Sequence, residues 1–340
     1  MSADQGNNAS GVTEWIWIPV EWHWWEVLQT ILAITGIIGN FLVMLVLFRV
    51  RRKLCSTDTL IAGLALADFL TSIFIIPHPR VKKLPDTIAS EIYCRIAHSS
   101  VLMWISICAS IFTLTAISIE RLTAVIRPVQ FKNIFTPKRS LVMIGYIWFA
   151  ALLVNIVVMF VVYYDDGACV FSFPSVWFHI FTGVMVFLIE YLIPATTMVV
   201  AHTFMIWTLW KRLRKNDKQR EANRRITLML LVVVVVFVIC WTPDQIFYFA
   251  LNIGLIDVTY LYSPQYRFYV VLAFVNSCAN PIIYATRNPN FRKALRELCG
   301  STRRVGRIQN IFVDIETRRS QTVDRTTTGT KIDLSSSNML

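Results

Sequence analysis

The sequence predicts an all-α membrane protein: a bundle of seven transmembrane helices with a short amphipathic eighth helix. The chain of 340 residues is 55% hydrophobic and only 16% charged, with a mean hydropathy of +0.54, which is too apolar for an ordinary soluble domain. Seven apolar runs are each long enough to cross a bilayer. The basic residues are strongly biased to one side of these runs, as in membrane proteins of fixed orientation.

The connections between the seven runs are short, so consecutive helices are expected to be antiparallel. An odd number of spans places the two termini on opposite sides of the membrane. Of the 33 Lys and Arg residues, 28 fall on the side of the carboxyl terminus, which the positive-inside rule makes cytoplasmic. The runs cover residues 27–48, 59–76, 96–119, 141–163, 176–209, 226–251 and 268–284.

Four segments follow from this pattern. They are an extracellular tail (1–26), a seven-transmembrane domain (27–286), an amphipathic cytoplasmic helix (287–299) and a disordered cytoplasmic tail (300–340) rich in Ser, Thr and Arg. The tail before the first run has no pattern of a cleaved signal peptide. Its Asn8-Ala9-Ser10 sequon makes Asn8 a candidate for glycosylation. Cys299, at the end of the amphipathic helix, is a candidate for palmitoylation.

The third run lies at the centre of the expected bundle. As one helix, the stretch from Cys94 to Arg121 would be about 40 Å long and would reach both membrane surfaces. Cys94 and Cys169 are the two cysteines near the outer face, so a disulfide is expected to tie segment 163–173 over this helix. At the inner end, Glu120 and Arg121 form an ion pair where the apolar sequence stops.

Five tryptophans precede the first run. An aromatic belt at the membrane interface is one interpretation, and a lid that contacts a ligand is the other. The five are Trp15, Trp17, Trp22, Trp24 and Trp25.

A single carboxylate lies deep in the second run. Asp68 must face a partner or a wet cavity, because a charge at the membrane centre costs about 2.5–3.5 kcal/mol on insertion scales. One carboxylate among neutral oxygens suits a small hard cation, a proton or a water cluster, and a protonated structural aspartate is the alternative. The candidate partners at similar depth are Asn40, Ser110, Asn276, Ser277 and Asn280.

Prolines mark where three of the later helices can bend, because proline removes a backbone donor and crowds the preceding turn. They are Pro194, Pro243 and Pro281. Trp241 lies just before Pro243, so a bulky indole is expected beside a weak point of the sixth helix.

Together, these residues resemble the rhodopsin-like G-protein-coupled receptors, over about residues 27–299. The resemblance implies a receptor that binds an extracellular ligand and activates a heterotrimeric G protein through a shift between two packings. The motifs that carry it occur in order along the helices: Gly39-Asn40, Leu64-Ala65-Leu66-Ala67-Asp68, Cys94 with Cys169, Glu120-Arg121-Leu122 with Pro128, Trp148, Pro194, Cys240-Trp241-Thr242-Pro243 and Asn280-Pro281-Ile282-Ile283-Tyr284.

The resemblance also implies roles for single residues. It implies an allosteric sodium pocket, and no other cofactor, at Asp68, Ser110, Asn276, Ser277 and Asn280. It implies a switch beneath the ligand at Ile111, Pro194, Phe237, Trp241 and Pro243. It implies a G-protein-coupling face at Glu120, Arg121, Pro128 and Tyr284. The Ser and Thr residues of the tail make arrestin a candidate partner, and the basic segment 211–225 is expected to meet membrane lipids or the G protein.

The chain departs from the family pattern at the inner face. Leu122 and His202 stand where the family often has tyrosine. No acidic residue stands at Asn223, so Arg121 is expected to rely on Glu120 alone.

A further departure lies in the outer part of the third helix. The interval from Cys94 to Arg121 is longer than in the family, and a local bulge near residues 99–104 is expected to absorb the difference.

The ligand is predicted to be a cationic, partly apolar molecule, with a short neuropeptide as the leading hypothesis. Met103 stands where amine receptors resemble one another by carrying an aspartate, which disfavours monoamines. Glu190 and Asp244 instead place acids at pocket depth. The predicted ligand-binding residues are Met103, Trp104, Glu190, Trp241, Asp244, Gln245 and Tyr248.

Other interpretations stay open at this stage. Glu190 and Asp244 could be structural partners of His179 or Gln245, and the ligand could be a non-peptide small molecule or a lipid. A transporter or channel is disfavoured because the polar residues collect in one central region rather than along a path. An intramembrane enzyme is disfavoured because the sequence lacks paired aspartates, HExxH and a serine elbow. Nucleic acid is not an expected partner, because the basic residues follow the membrane topology.

Overall fold

The computed structural model describes residues 14–50, 55–211, 218–287 and 291–298. Within them, seven helices are long and apolar enough to cross a membrane, which confirms the predicted all-α bundle. Asn8, Cys299 and the tail 300–340 lie outside the described residues. The seven helices are α1 (Trp24–Val50), α2 (Ser56–Phe74), α3 (Ile88–Ile126), α4 (Pro137–Val161), α5 (Val176–Lys211), α6 (Lys218–Asn252) and α7 (Pro264–Arg287).

The third helix is irregular in its first half. This half belongs to the end of the bundle that is predicted to be extracellular, which is called the outer end below. A short α-helix, Ile88–Ile92, continues into a π-helical segment, Tyr93–His98, and the regular helix Val101–Ile126 follows. Between them Ser100 adopts a left-handed conformation with φ of 55°. The bulge expected near residues 99–104 therefore begins earlier, at Tyr93. The helix itself begins well before the predicted residue 96.

Two pairs of strands cover the outer ends of the helices. Strand β1 (Ile16–Ile18) pairs antiparallel with β2 (Arg80–Lys83), and β3 (Val162–Asp165) pairs antiparallel with β4 (Ala168–Phe171). The prediction that the fourth helix extends to residue 163 is wrong, because the chain turns into β3 after Val161.

The hairpin formed by β3 and β4 is fixed to α3. Cys94 and Cys169 form the expected disulfide, with their Cα atoms 5.3 Å apart. The backbone of the hairpin adds a second tie, since the Tyr164 N–H donates to the Glu91 carboxylate at 2.8 Å. The hairpin therefore lies over the outer end of the central helix.

Inside the bundle, α3 packs against α2, α4 and α5, and α1 packs between α2 and α7. A core of small and branched side chains joins α2, α3 and α4 and includes Ala67, Ala109 and Ala151. Gly39 lets α1 approach α7 closely, because a Cβ at this position would lie 2.9 Å from the ring of Pro281. Small residues at helix contacts are typical of membrane bundles.

Residues 291–298 form a short helix, which belongs to a unit separate from the transmembrane bundle. Arg292, Lys293 and Arg296 are exposed on it. The described helix lies within the predicted segment 287–299, and its position on a membrane surface stays a prediction.

Candidate ligand cavity and buried polar clusters

A cavity of about 600 Å³ lies among the outer ends of α2, α3, α6 and α7. The segment that precedes α1 forms one wall, with Ile18, Pro19 and Val20 among the lining residues. Trp25 also lines the cavity, whereas Trp22 is 64% exposed. The lid interpretation therefore applies to the start of α1 and the strand before it. Trp15 and Trp17 pack instead on Tyr93 of α3, and the exposed Trp22 fits the aromatic belt.

The cavity brings together four of the seven predicted ligand-binding residues. Met103 and Trp104 lie on the α3 side, and Trp241 and Asp244 lie on the α6 side. The other three, Glu190, Gln245 and Tyr248, are not among the residues that line it.

Asp244 is the acidic group of the cavity that is most fully removed from water. Its side chain is 5% exposed and accepts one long hydrogen bond, 3.4 Å, from the amide of Gln245. Among the described residues, no basic side chain lies within 4 Å of its carboxylate. The buried indole N–H of Trp241, in the same cavity, also has no partner. Buried polar groups are normally paired, so a molecule in the cavity that donates to the carboxylate and accepts from the indole N–H would complete both groups.

The remaining charged groups of the cavity have both signs. Glu21 and Glu26 belong to the wall before and at the start of α1, while Arg80 and Arg267 come from β2 and α7. The Glu26 carboxylate already accepts hydrogen bonds from the Trp25 indole, at 2.5 Å, and from the His23 backbone, at 3.2 Å.

Outside the membrane spans, Asp257 follows α6 and caps a short 3-10 helix. Its carboxylate accepts a hydrogen bond of 2.8 Å from the Thr259 N–H, which lowers the pKa of Asp257 below its ordinary value. It therefore contributes negative charge at the end of the bundle that is predicted to be extracellular.

Glu190 belongs to a different buried cluster. Its carboxylate, 4% exposed, accepts a hydrogen bond of 2.9 Å from the Asn155 amide and a second from the Cys108 thiol. The predicted alternative partner His179 instead stacks on Phe173, with ring centroids 4.3 Å apart. Sequence reasoning missed Asn155, although a polar amide inside the fourth apolar run was a visible signal.

The residues of the predicted switch lie directly beneath the cavity. Ile111, Pro194 and Phe237 are buried at the meeting point of α3, α5 and α6. Tyr191 joins them: its hydroxyl lies 2.5 Å from the Thr242 hydroxyl, and its ring centroid lies 6.4 Å from that of Phe237. Tyr191 was not predicted from the sequence, because aromatic residues are common throughout the apolar runs.

Three residues of the predicted sodium pocket contact the Asp68 carboxylate. The Ser110 hydroxyl and the Asn280 amide each donate to its carboxylate at 2.7 Å, and Ser277 also donates to it. Asn40 bonds instead to the Ser277 carbonyl, at 3.0 Å.

Three buried amide oxygens of the predicted partner set have no hydrogen-bond partner among the described residues. They are the side-chain carbonyl oxygens of Asn40, Asn276 and Asn280. Oxygen ligands of this kind suit a small hard cation, so the residues present fit a sodium ion.

The inner-face arginine has more partners than expected. Arg121 contacts Glu120, with Nη2 to Oε1 at 3.1 Å, and also donates to the Thr57 hydroxyl. Thr57 in turn donates to Glu120 at 2.9 Å, and the Phe131 ring lies 5.3 Å from the guanidinium carbon. The expectation that Arg121 relies on Glu120 alone is therefore wrong, because α2 and the helix after α3 also supply partners.

The other two residues predicted at this face are Pro128 and Tyr284, which belong to different helices. Pro128 begins the short helix Pro128–Ile134, which carries Phe131 toward Arg121. Tyr284 is buried in α7 and is 3% exposed.

Comparison with protein families identifies the transmembrane bundle. Residues 39–284 match the model described as 7 transmembrane receptor (rhodopsin family). The match begins at Gly39 in α1, ends at Tyr284 in α7 and covers more than two thirds of the chain.

Proposed function

The chain belongs to the rhodopsin family of seven-transmembrane receptors, and we propose that it binds a positively charged extracellular peptide and activates a heterotrimeric G protein. The observation that carries the choice of ligand is the Asp244 carboxylate, buried in the wall of the outer cavity without a basic partner within 4 Å among the described residues. As a member of this family the chain is a multi-pass membrane receptor and not a typical enzyme.

A cation is the ligand group that Asp244 favours. A buried carboxylate loses much of its solvation, and an opposite charge supplied by a ligand restores part of that free energy. Trp241 lines the same cavity and offers an aromatic face, which also attracts cations. A Lys, Arg or amino-terminal group in this part of the cavity would therefore gain from both residues.

The rest of the cavity favours a peptide over a lipid. Glu21, Arg80 and Arg267 line it, so its polar wall has charges of both signs. A peptide carries backbone donors and acceptors, and often a carboxylate, that complement such a wall. The acyl chain of a lipid would desolvate these charges without pairing them. A volume of about 600 Å³ admits the end of a peptide, and the remainder would lie across the strands outside.

The signal is proposed to cross the membrane as a population shift between two packings. Ligand contacts on Trp241 would bias α6 at Pro243, and Tyr191 would pass this bias to α5 through Thr242 and Phe237. An outward motion of the inner part of α6 would then open a site beside Arg121 for a G protein. The site beside Arg121 would then be cytoplasmic and the amino terminus extracellular, which is the orientation that the distribution of basic residues supports.

We also infer that the polar centre of the bundle takes a sodium ion. Asp68 and Ser110, with the free amide oxygens of Asn276 and Asn280, are the residues that would hold it. A bound cation would neutralise the buried carboxylate. The protein's own part is to hold the carboxylate between α3 and α7 through the Ser110 and Asn280 hydrogen bonds.

A peptide screen followed by two matched variants tests the ligand hypothesis. Membranes containing the receptor and a promiscuous G protein would be screened for guanine-nucleotide exchange with basic, neutral and acidic peptides. With the strongest basic peptide, Asp244→Asn should reduce potency at least about tenfold, because a desolvated charge pair is lost. Glu190→Gln removes a buried charge that does not line the cavity, so it should change potency much less.

Two results would contradict this proposal. Activation by neutral and basic analogues with equal potency would remove the argument from charge. Unchanged potency in Asp244→Asn, with normal surface expression, would place the ligand elsewhere. Absence of nucleotide exchange with every class of peptide would instead favour the non-peptide alternative.

A further inference from the structure

A second cavity, of about 250 Å³, lies between α5 and α6 in their inner halves. Val, Leu and Ile side chains form almost all of its wall, and His202 and Thr203 are its two polar residues. Val199, Val235 and Ile239 line the cavity and are each about half exposed, at 48%, 47% and 60%. Because these residues belong to membrane spans, the mouth of the cavity faces the acyl chains of the bilayer.

His202 gives this apolar cavity a specific polar group. The residue is 1% exposed, and its Nδ1 lies 2.9 Å from the Met198 carbonyl oxygen. A carbonyl oxygen only accepts, so Nδ1 donates and carries the ring proton. A charged ring would be costly among aliphatic side chains, so the ring is neutral and Nε2 is an acceptor. Nε2 is buried and has no hydrogen-bond partner among the residues that the structure describes.

Thr203 does not satisfy this acceptor. Its hydroxyl donates to the Val199 carbonyl within its own helix, at 2.8 Å. A buried acceptor without a donor is uncommon, and the hydrocarbon of the bilayer contains no bulk water that could donate a hydrogen bond to it. The missing donor is therefore expected to come from a molecule that enters the cavity.

The depth of His202 limits which lipid can supply the donor. The Lys211 ammonium lies 3.7 Å from the Trp207 ring centroid, an arrangement typical of the membrane interface. His202 lies nine residues before Lys211 in the same helix, which is about 14 Å along its axis. A phospholipid hydroxyl or phosphate at the headgroup level does not reach this depth without taking charge into the hydrocarbon.

We propose that this cavity binds a membrane sterol whose hydroxyl donates to Nε2 of His202. A sterol carries one neutral hydroxyl on a rigid apolar body, so it can bring a donor to this depth without a charge. The wall consists mainly of β-branched side chains, which have few rotamers and form a stiff surface. A rigid ligand loses little conformational entropy against such a surface, whereas a flexible acyl chain loses more.

Photolabelling of the full chain in phosphatidylcholine nanodiscs tests the proposal. The probe is a cholestanol that carries a diazirine at C6 of its ring system, a few ångströms from the hydroxyl, and keeps that hydroxyl free. Labelled peptides are expected from both walls, residues 199–206 and 231–239. Unlabelled cholesterol should compete about fivefold better than its methyl ether, which retains the shape and the oxygen but cannot donate a hydrogen bond.

Three variants separate the hydrogen bond from the shape of the cavity. His202→Phe keeps a planar ring without an acceptor and should lower labelling about fivefold. Thr203→Val, a change in the same wall to a residue of similar size, should leave labelling unchanged. Val235→Trp should fill the mouth and abolish labelling of this site while leaving other labelled sites unaffected.

Equal competition by cholesterol and its methyl ether on the unaltered receptor would overturn the proposal, and this comparison does not depend on how any variant folds. Labelling that persists in Val235→Trp, or that is unchanged in well-expressed His202→Phe, would also overturn it. These outcomes are independent of the extracellular ligand.

Discussion

The Asn155 amide donates a hydrogen bond of 2.9 Å to the Glu190 carboxylate and thereby joins α4 to the π-helical segment of α5. The carboxylate is buried, and Cys108 of α3 is its other hydrogen-bond partner. Three helices therefore meet at one acidic side chain. We interpret Glu190 as an anchor of this packing rather than as a group that contacts the ligand.

Asn155→Ala is therefore expected to destabilise the receptor. The change leaves a buried carboxylate without its amide donor, which should cost about 1.5–3 kcal/mol of stability. The measurement is the midpoint of thermal denaturation of the purified receptor. Glu190→Gln is the comparison, since it keeps a side chain that can accept from Asn155 and should be milder. Equal stability of Asn155→Ala and the unaltered receptor would contradict the anchoring role.

The difference between the two acids illustrates what the sequence could predict. The depth of Glu190 and Asp244 in their helices followed from counting residues between charged ends. The direction in which each side chain points around its helix could not be predicted in this way. The π-helical segment Phe187–Leu192 contains an extra residue per turn, and this rotates Glu190 relative to a regular helix. No local pattern in the sequence predicts that rotation.

The cluster around Asp68 could be predicted, because the depth of this carboxylate determines which way it faces. A carboxylate deep in a membrane span must face the bundle interior, whatever the rotation of its neighbours. The partners of Asp68 could therefore be proposed from residue type and depth, and Ser110, Ser277 and Asn280 do contact it. Thr57 was missed near Arg121 because a hydroxyl at the end of a helix is an ordinary feature, and only tertiary packing brings it to the ion pair.

Thr57→Ala is predicted to raise basal signalling. The Thr57 hydroxyl accepts from Arg121 and donates to Glu120, so it connects α2 to the inner-face ion pair. Losing about 1 kcal/mol from this packing would increase the population of the alternative packing about fivefold. Guanine-nucleotide exchange without ligand is the measurement.

Two variants control for nonspecific effects at this position. Thr57→Ser keeps the hydroxyl and should retain the original basal rate. Ser56→Ala removes the neighbouring hydroxyl, which contacts Ser140 at 2.7 Å rather than the ion pair, and should also have little effect on basal exchange. If Ser56→Ala and Thr57→Ala raise exchange equally, the cause is a general change at the start of α2. Loss of the Thr57 hydrogen bonds to Arg121 and Glu120 would then not explain the effect.

Sodium is predicted to stabilise the receptor through Asp68. A ligand that binds only the folded protein adds about 1.4 kcal/mol of stability at ten times its dissociation constant. Sodium chloride should therefore raise the thermal midpoint more than choline chloride at the same ionic strength, and Asp68→Asn should abolish the difference. Ser72→Ala is the control, because its hydroxyl bonds to the Asp68 backbone rather than to the carboxylate. A sodium effect that survives in Asp68→Asn would exclude this site.

Gly39→Ala is predicted to weaken the contact between α1 and α7. The added methyl group would lie 2.9 Å from two carbons of the Pro281 ring, and a proline ring has no rotamer with which to withdraw. Overpacking of this kind costs about 1–3 kcal/mol, so the thermal midpoint should fall. Gly145→Ala in α4 is the matched control, because a Cβ there meets nothing within 4 Å and alanine is the better helix former. If both alanine variants have the same thermal midpoint, α1 can move away from Pro281, and the close approach at Gly39 does not limit the stability of the bundle.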